Sequence, residues 1–177
     1  LEDAVGAIEY MRNNAEKYNI DPQKIGVSGN SAGGHLAAWI SNYLPDDKKP
    51  AFAILVYGAM ERNRYYNTYA ANSRLGGKTV TTAEAESFSV STMVTPLTPP
   101  TIMFLSDDDD VVPPFSSTIY YKALKEHGVK SSMHIYPSGG HGWGFSSEKN
   151  VGKGKDKFSA HRQEFYTVLE KWLESIR

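Results

Sequence analysis

Residues 51–57 read AFAILVY and residues 101–105 read TIMFL, two runs without the polar alternation that marks a solvent face. A strand half-exposed to water alternates polar and apolar side chains; an unbroken apolar run of this length fits a strand covered on both faces. Two such runs in one chain, with helical patterns before and after them, argue for a sheet with helices packed above and below it. Residues 1, 4, 5, 8, 11, 15 and 18 are apolar or aromatic at helical spacing, stopped by Asp21-Pro22. Short strands are expected over residues 24–28 and 131–136. Helices are expected from Ala32 to about Tyr43, from Pro113-Pro114 to His127-Gly128, and on the apolar stripe of Phe165, Val168, Leu169, Trp172, Leu173 and Ile176. The alternation predicts a parallel sheet flanked by helices, an α/β fold in one domain, with an irregular excursion over about residues 60–100.

Composition narrows the function. With 177 residues, a chain of this size buries roughly 70% of its extended surface and needs no staples. There are no cysteines, which excludes disulfides, thiolate metal sites and a cysteine nucleophile. Nineteen basic against twenty acidic side chains give a net charge of -1, so neither nucleic acid nor an anionic membrane is an expected partner. No apolar run reaches the ~20 residues of a spanning helix, and nothing reads as a signal peptide. The chain starts with Leu1, already in a helical pattern, and so reads as the C-terminal portion of a longer protein.

The chemistry starts at Gly29-Asn30-Ser31-Ala32-Gly33, a G-x-S-x-G motif between a strand and a helix. A serine there stands on a strained turn with its oxygen exposed. Small residues two before and two after, Gly29 and Gly33, are expected to avoid collision with neighbouring backbone. The Ala32 N–H, at the helix start, points to where an oxyanion would form. A hydroxyl is a weak nucleophile and needs a base. Of five histidines, His35, His127 and His161 fall on helical segments and His134 in a strand; His141 falls in a glycine-rich loop after the last strand, where it can reach Ser31. The base in turn needs an acid. Asp107, Asp108, Asp109 and Asp110 all follow the strand over residues 101–105, and their composition does not choose among them. A solvated acidic loop and a divalent-cation site are the alternatives for that run.

Residues 29–35 (GNSAGGH), 106–113 (SDDDDVVP) and 138–145 (SGGHGWGF) together resemble the α/β-hydrolase esterases, above all bacterial acetyl-xylan-esterase-like and hormone-sensitive-lipase-like carboxylesterases. The resemblance covers nearly the whole chain, and the order Ser, Asp, His matches. It implies a serine esterase acting on acetyl or other small acyl esters, including those of polysaccharides, through an acyl-enzyme and with no cofactor. Its D-x-x-V-P pattern selects Asp109 as the acid, with Asp108 second. Peptidases of the same fold usually carry an aromatic after the serine; Ala32 favours the esterase. A non-catalytic α/β-hydrolase domain is the remaining alternative.

The chain departs from this family before its first helix, where such enzymes carry several strands and an oxyanion loop. The fold is therefore expected to lack its N-terminal strands, to turn over weakly alone, and to cover the open edge either by homo-oligomerisation or with an N-terminal segment. Trp143, Phe145 and the tyrosines at 65, 66 and 69 are candidates for an acyl or sugar pocket, against ordinary packing. Trp39 and Trp172 read as core.

Overall fold

Both apolar runs become inner strands of a four-stranded parallel sheet in the computed structural model, which describes residues 1–61, 87–144 and 156–176. In chain order the main elements are α1 (Glu2–Asn13), a single turn α2 (Ala15–Tyr18), β1 (Val27–Asn30), α3 (Ala32–Tyr43), β2 (Ala53–Val56), β3 (Thr101–Ser106), α4 (Phe115–Glu126), β4 (Ser131–Tyr136) and α5 (Arg162–Ser175). The strands lie side by side in the order β1-β2-β3-β4, all pairs parallel. The expected first helix is broken at Asn14. The chain then leaves α2 through the left-handed Asn19 and a short 3-10 turn capped by the Asp21 side chain.

Alternate residues of the inner strands go to opposite faces. Ala53, Leu55 and Met103 meet Ala37 and Ala38 of α3 and Tyr120 and Leu124 of α4. Ile54, Val56, Ile102 and Phe104 meet Phe165, Leu169 and Trp172 of α5 on the other side. Trp172 is thus core, as expected, whereas Trp39 is only half-buried at the edge of the α3 cluster. Each fully buried Leu, Ile or Phe contributes roughly 1.5–3 kcal/mol over its exposed state. Truncating Leu55 to Ala would cost about 2–5 kcal/mol through the cavity left behind.

A buried polar knot ties the end of the excursion to this core. Thr98 Oγ1 donates to Asn42 Oδ1 at 2.7 Å, and Asn42 Nδ2 donates to the Tyr120 hydroxyl at 2.9 Å. Burial pushes that phenol up to about 12. The rest of the expected excursion, residues 62–86, lies outside the described residues. Among the described residues no helix is long and apolar enough to cross a membrane.

The register places the C-terminal ends of β1, β3 and β4 at one edge of the sheet, with the segments after them starting at Ser31, Asp107 and Pro137.

Candidate active site

Ser31 is the hinge between β1 and α3. Its N–H donates to the Val56 carbonyl at 2.9 Å, continuing the ladder, yet its backbone sits at φ 55°, ψ -123°. A non-glycine residue there costs on the order of 1–3 kcal/mol and persists only where the surroundings enforce it. The enforcement is local. The turn brings Gly29 so near the first turn of α3 that a Cβ on Gly29 would lie 2.0 Å from the Gly33 carbonyl oxygen. The converse expectation for Gly33 is corrected: among the described residues, a Cβ there meets nothing within 4 Å. The second tight position is Gly34, whose Cβ would stand 3.0 Å from the Gly58 Cα, where α3 passes over the end of β2. Ala32 is the first residue of α3, so its N–H is one of the donors a helix cannot satisfy internally, at the positive end of the dipole.

His141 joins two of the other expected residues. Its Nδ1 lies 2.8 Å from Asp109 Oδ2, and its Nε2 lies 2.8 Å from Ser31 Oγ. An ionised carboxylate only accepts, so Nδ1 carries the hydrogen and Nε2 is left to accept from the Ser31 hydroxyl. The Asp109 side chain is 1% exposed and the imidazole 16%. Asp109 Oδ1 accepts from the N–H groups of Val111 and Val112, at 2.9 and 2.8 Å. Those bonds turn its side chain inward, whereas Asp107, Asp108 and Asp110 are exposed. The cation alternative finds no support here: among the described residues no three His, Asp or Glu side chains group to hold a metal.

The loop carrying His141 is fastened at several points. Ser138 Oγ meets His161 Nε2 at 3.0 Å. Gly140 N–H donates to Asp108 Oδ1 at 2.7 Å, a bond that holds the Asp108 carboxyl below its usual range. Trp143 Nε1 donates to the buried Ser106 hydroxyl at 2.8 Å. The Gly144 carbonyl accepts from Arg162, whose Nε and Nη2 also bind the Asp156 carboxylate at 2.9 and 2.8 Å.

Trp143 takes the packing alternative and not the pocket one. It is 4% exposed, stacked at 3.6 Å on Phe158, and belongs to the core beneath the site. Phe145 and the tyrosines at 65, 66 and 69 lie outside the described residues. The other histidines stay apart from the serine hydroxyl: His35 bonds to the Phe88 carbonyl, His127 to the Ala123 carbonyl, and His134 to Ser132 Oγ.

Sequence reasoning passed over Tyr57. This residue ends the β2 run with φ 38°, and its ring stands 4.7 Å from the imidazole and 5.1 Å from Trp143. Burial raises its phenol. Its apolar surroundings made it read as the last residue of a strand; no sequence signal marks a tyrosine held in the left-handed region. Asp108 and Arg162, which fasten the histidine loop, carry no motif of their own.

Comparison with known proteins gives the family and the fold. The prolyl oligopeptidase family model matches residues 1–167. An acetylxylan esterase of Xylanibacter ruminicola is 33% identical over 98% of this chain and 35% of its own length. Among solved structures, an acetyl ester-xyloside bifunctional hydrolase from Caldicellulosiruptor lactoaceticus superposes with a TM-score of 0.80 at 32% identity, over 98% of this chain and 64% of that one. A carboxylesterase from Lactobacillus plantarum superposes with a TM-score of 0.78 at 25% identity, over 97% and 66% respectively. The chain thus spans about a third of that acetylxylan esterase and about two thirds of those solved structures. With four parallel strands, a serine elbow after the first and a family match over almost its whole length, the chain belongs to the prolyl oligopeptidase family and has the α/β-hydrolase fold.

Proposed function

We propose that this chain carries the catalytic residues of a serine carboxylic ester hydrolase whose substrates are acetyl or other small acyl esters, including those on carbohydrate. The observation that carries the reading is one imidazole within 2.8 Å of both a strained serine hydroxyl and a buried carboxylate. Ester rather than peptide hydrolysis is supported by Ala32 after the serine. It is also supported by the relatives, named for acetylxylan, acetyl ester-xyloside and carboxylic ester substrates.

In this mechanism Ser31 Oγ attacks the ester carbonyl carbon while its proton passes to His141 Nε2. The carbonyl π electrons move onto oxygen, and the Ala32 N–H donates to that oxyanion. Asp109 keeps the ring in the accepting tautomer and stabilises the imidazolium. Collapse breaks the bond to the alcohol, which leaves with the proton from His141. Water then attacks the acyl-serine, gives its proton to His141, and the acid departs as Ser31 is reprotonated.

The test is covalent labelling by a fluorophosphonate together with hydrolysis of p-nitrophenyl acetate and of an aminoacyl p-nitroanilide. Labelling and acetate release, both abolished in Ser31→Ala with the fold intact by circular dichroism, are expected. Faster cleavage of the anilide than of the ester would replace the esterase reading with a peptidase one. Labelling that survives Ser31→Ala would remove Ser31 from the mechanism.

A further inference from the structure

We propose that Asp108 is a positioning residue of this site, its carboxylate holding the backbone of the loop that carries the imidazole while its neighbour Asp109 holds the imidazole itself. The inference rests on the proposed relay of Ser31, His141 and Asp109, and it assigns a separate task to the acid beside that relay.

The observations are geometric. Asp108 Oδ1 accepts from the Gly140 N–H at 2.7 Å, one residue before His141. The loop needs such a tie. Gly140 and Gly142, on either side of His141, have φ of 58° and 89°, and no helix or strand includes residues 137–144. Glycine backbone has the most conformational freedom to lose, so a segment of this kind stays in place only if something outside it accepts or donates. The other fastenings reach Ser138, Trp143 and Gly144, two or three residues from the imidazole. Among these fastenings, the bond from the Gly140 N–H to Asp108 is adjacent to it, and a charged acceptor makes it stronger than a neutral bond.

The two acids also divide their directions. Asp109 points inward, fixed by the Val111 and Val112 N–H groups. Asp108, one residue earlier, points to the surface and meets the loop from outside. One turn after β3 therefore grips both the ring and the main chain beside it, which fixes the imidazole against Ser31 in translation as well as rotation. Loss of alignment of about 1 Å in a reacting pair typically costs on the order of 10²-fold in rate.

The experiment compares Asp108→Ala and Asp108→Asn in the whole chain. In Asp108→Ala, kcat for p-nitrophenyl acetate is expected to fall roughly 10- to 100-fold with KM nearly unchanged. The downfield proton resonance of His141 Nδ1–H, bonded to Asp109, should broaden or vanish. Asp108→Asn keeps an oxygen facing Gly140, so it should recover most of kcat and the resonance. The inference is overturned if Asp108→Ala keeps both kcat and the resonance, even with a lowered Tm, or if Asp108→Asn is as impaired as the alanine variant. The resonance needs no turnover. A wild-type chain that neither turns over nor takes up fluorophosphonate would defeat the ester-hydrolase reading, while the resonance comparison still decides the role of Asp108.

Discussion

Gly29 and Gly33 are separated by the turn that exposes Ser31, and the carbonyl of the second occupies the space where a side chain on the first would begin. A Cβ on Gly29 would stand 2.0 Å from that oxygen, a backbone atom that cannot swing aside. Gly29→Ala is therefore expected to open the elbow, lowering fluorophosphonate labelling at least tenfold and costing about 2–4 kcal/mol in urea unfolding. Gly33→Ala meets no such obstacle among the described residues and lies in the first turn of a helix, so its Tm should equal or exceed that of the wild type.

Asp109→Asn replaces an acceptor by a group that can turn its NH₂ toward His141 Nδ1. The ring then takes the opposite tautomer, with the hydrogen on Nε2, and can no longer accept from Ser31. The expected loss in kcat is about 10⁴-fold, with the structure retained because the amide oxygen still faces the Val111 and Val112 N–H groups. Steady-state kinetics beside circular dichroism checks this.

Arg162 bridges two points of the chain that flank residues 145–155: the Gly144 carbonyl and the Asp156 carboxylate. Arg162→Met removes the partner of a side chain only 3% exposed, and roughly 2–3 kcal/mol of stability should go with it. The arginine holds the Asp156 carboxyl below its usual 3.8, so its contribution is present above that pH and is lost as pH falls through the lower folded value. Urea titrations from pH 7 to pH 2.5 should show the wild type losing its advantage over the variant below pH 3.8. An advantage constant across that range would contradict the assignment.

Glu61 behaves in the opposite sense. The residue is 5% exposed, and its carboxyl accepts from the Ser91 N–H at 3.2 Å and is raised above 4.5 by burial. A raised carboxyl contributes stability that is full below 4.5 and is lost as pH rises through the folded value. Glu61→Gln should therefore melt higher than the wild type at pH 7, by about 2–4 °C per kcal/mol recovered, and the difference should shrink toward pH 4.5.

The two inner strands were legible because burial on both faces leaves them almost wholly apolar, whereas the edge strands, VSGN and SSMHIY, carry polar residues and were read from their place in the alternation. The helix over Ala32–Tyr43 was legible from its elbow and from the proline that follows it. The serine and histidine stood out by their place after strands. The four aspartates were not separable by residue type, since they differ only in which backbone N–H groups their side chains meet. The D-x-x-V-P resemblance picked Asp109, and its physical content is the bond from the Val112 N–H three residues on. Gly34 rather than Gly33 proved the tight position because helix-to-strand approach at Gly58 is a tertiary fact. For Trp143, in a glycine-rich loop, pocket and packing were both open in the sequence, and the stack on Phe158 decides for packing.

The serine and histidine that meet at 2.8 Å are 110 residues apart in the chain, and three parallel pairings lie between the strands that carry them. Such a contact carries a larger loop-closure cost than any pairing between neighbouring strands. Uptake of an active-site label during renaturation would thus report the joining of both edges of the sheet and not the formation of any single strand pair.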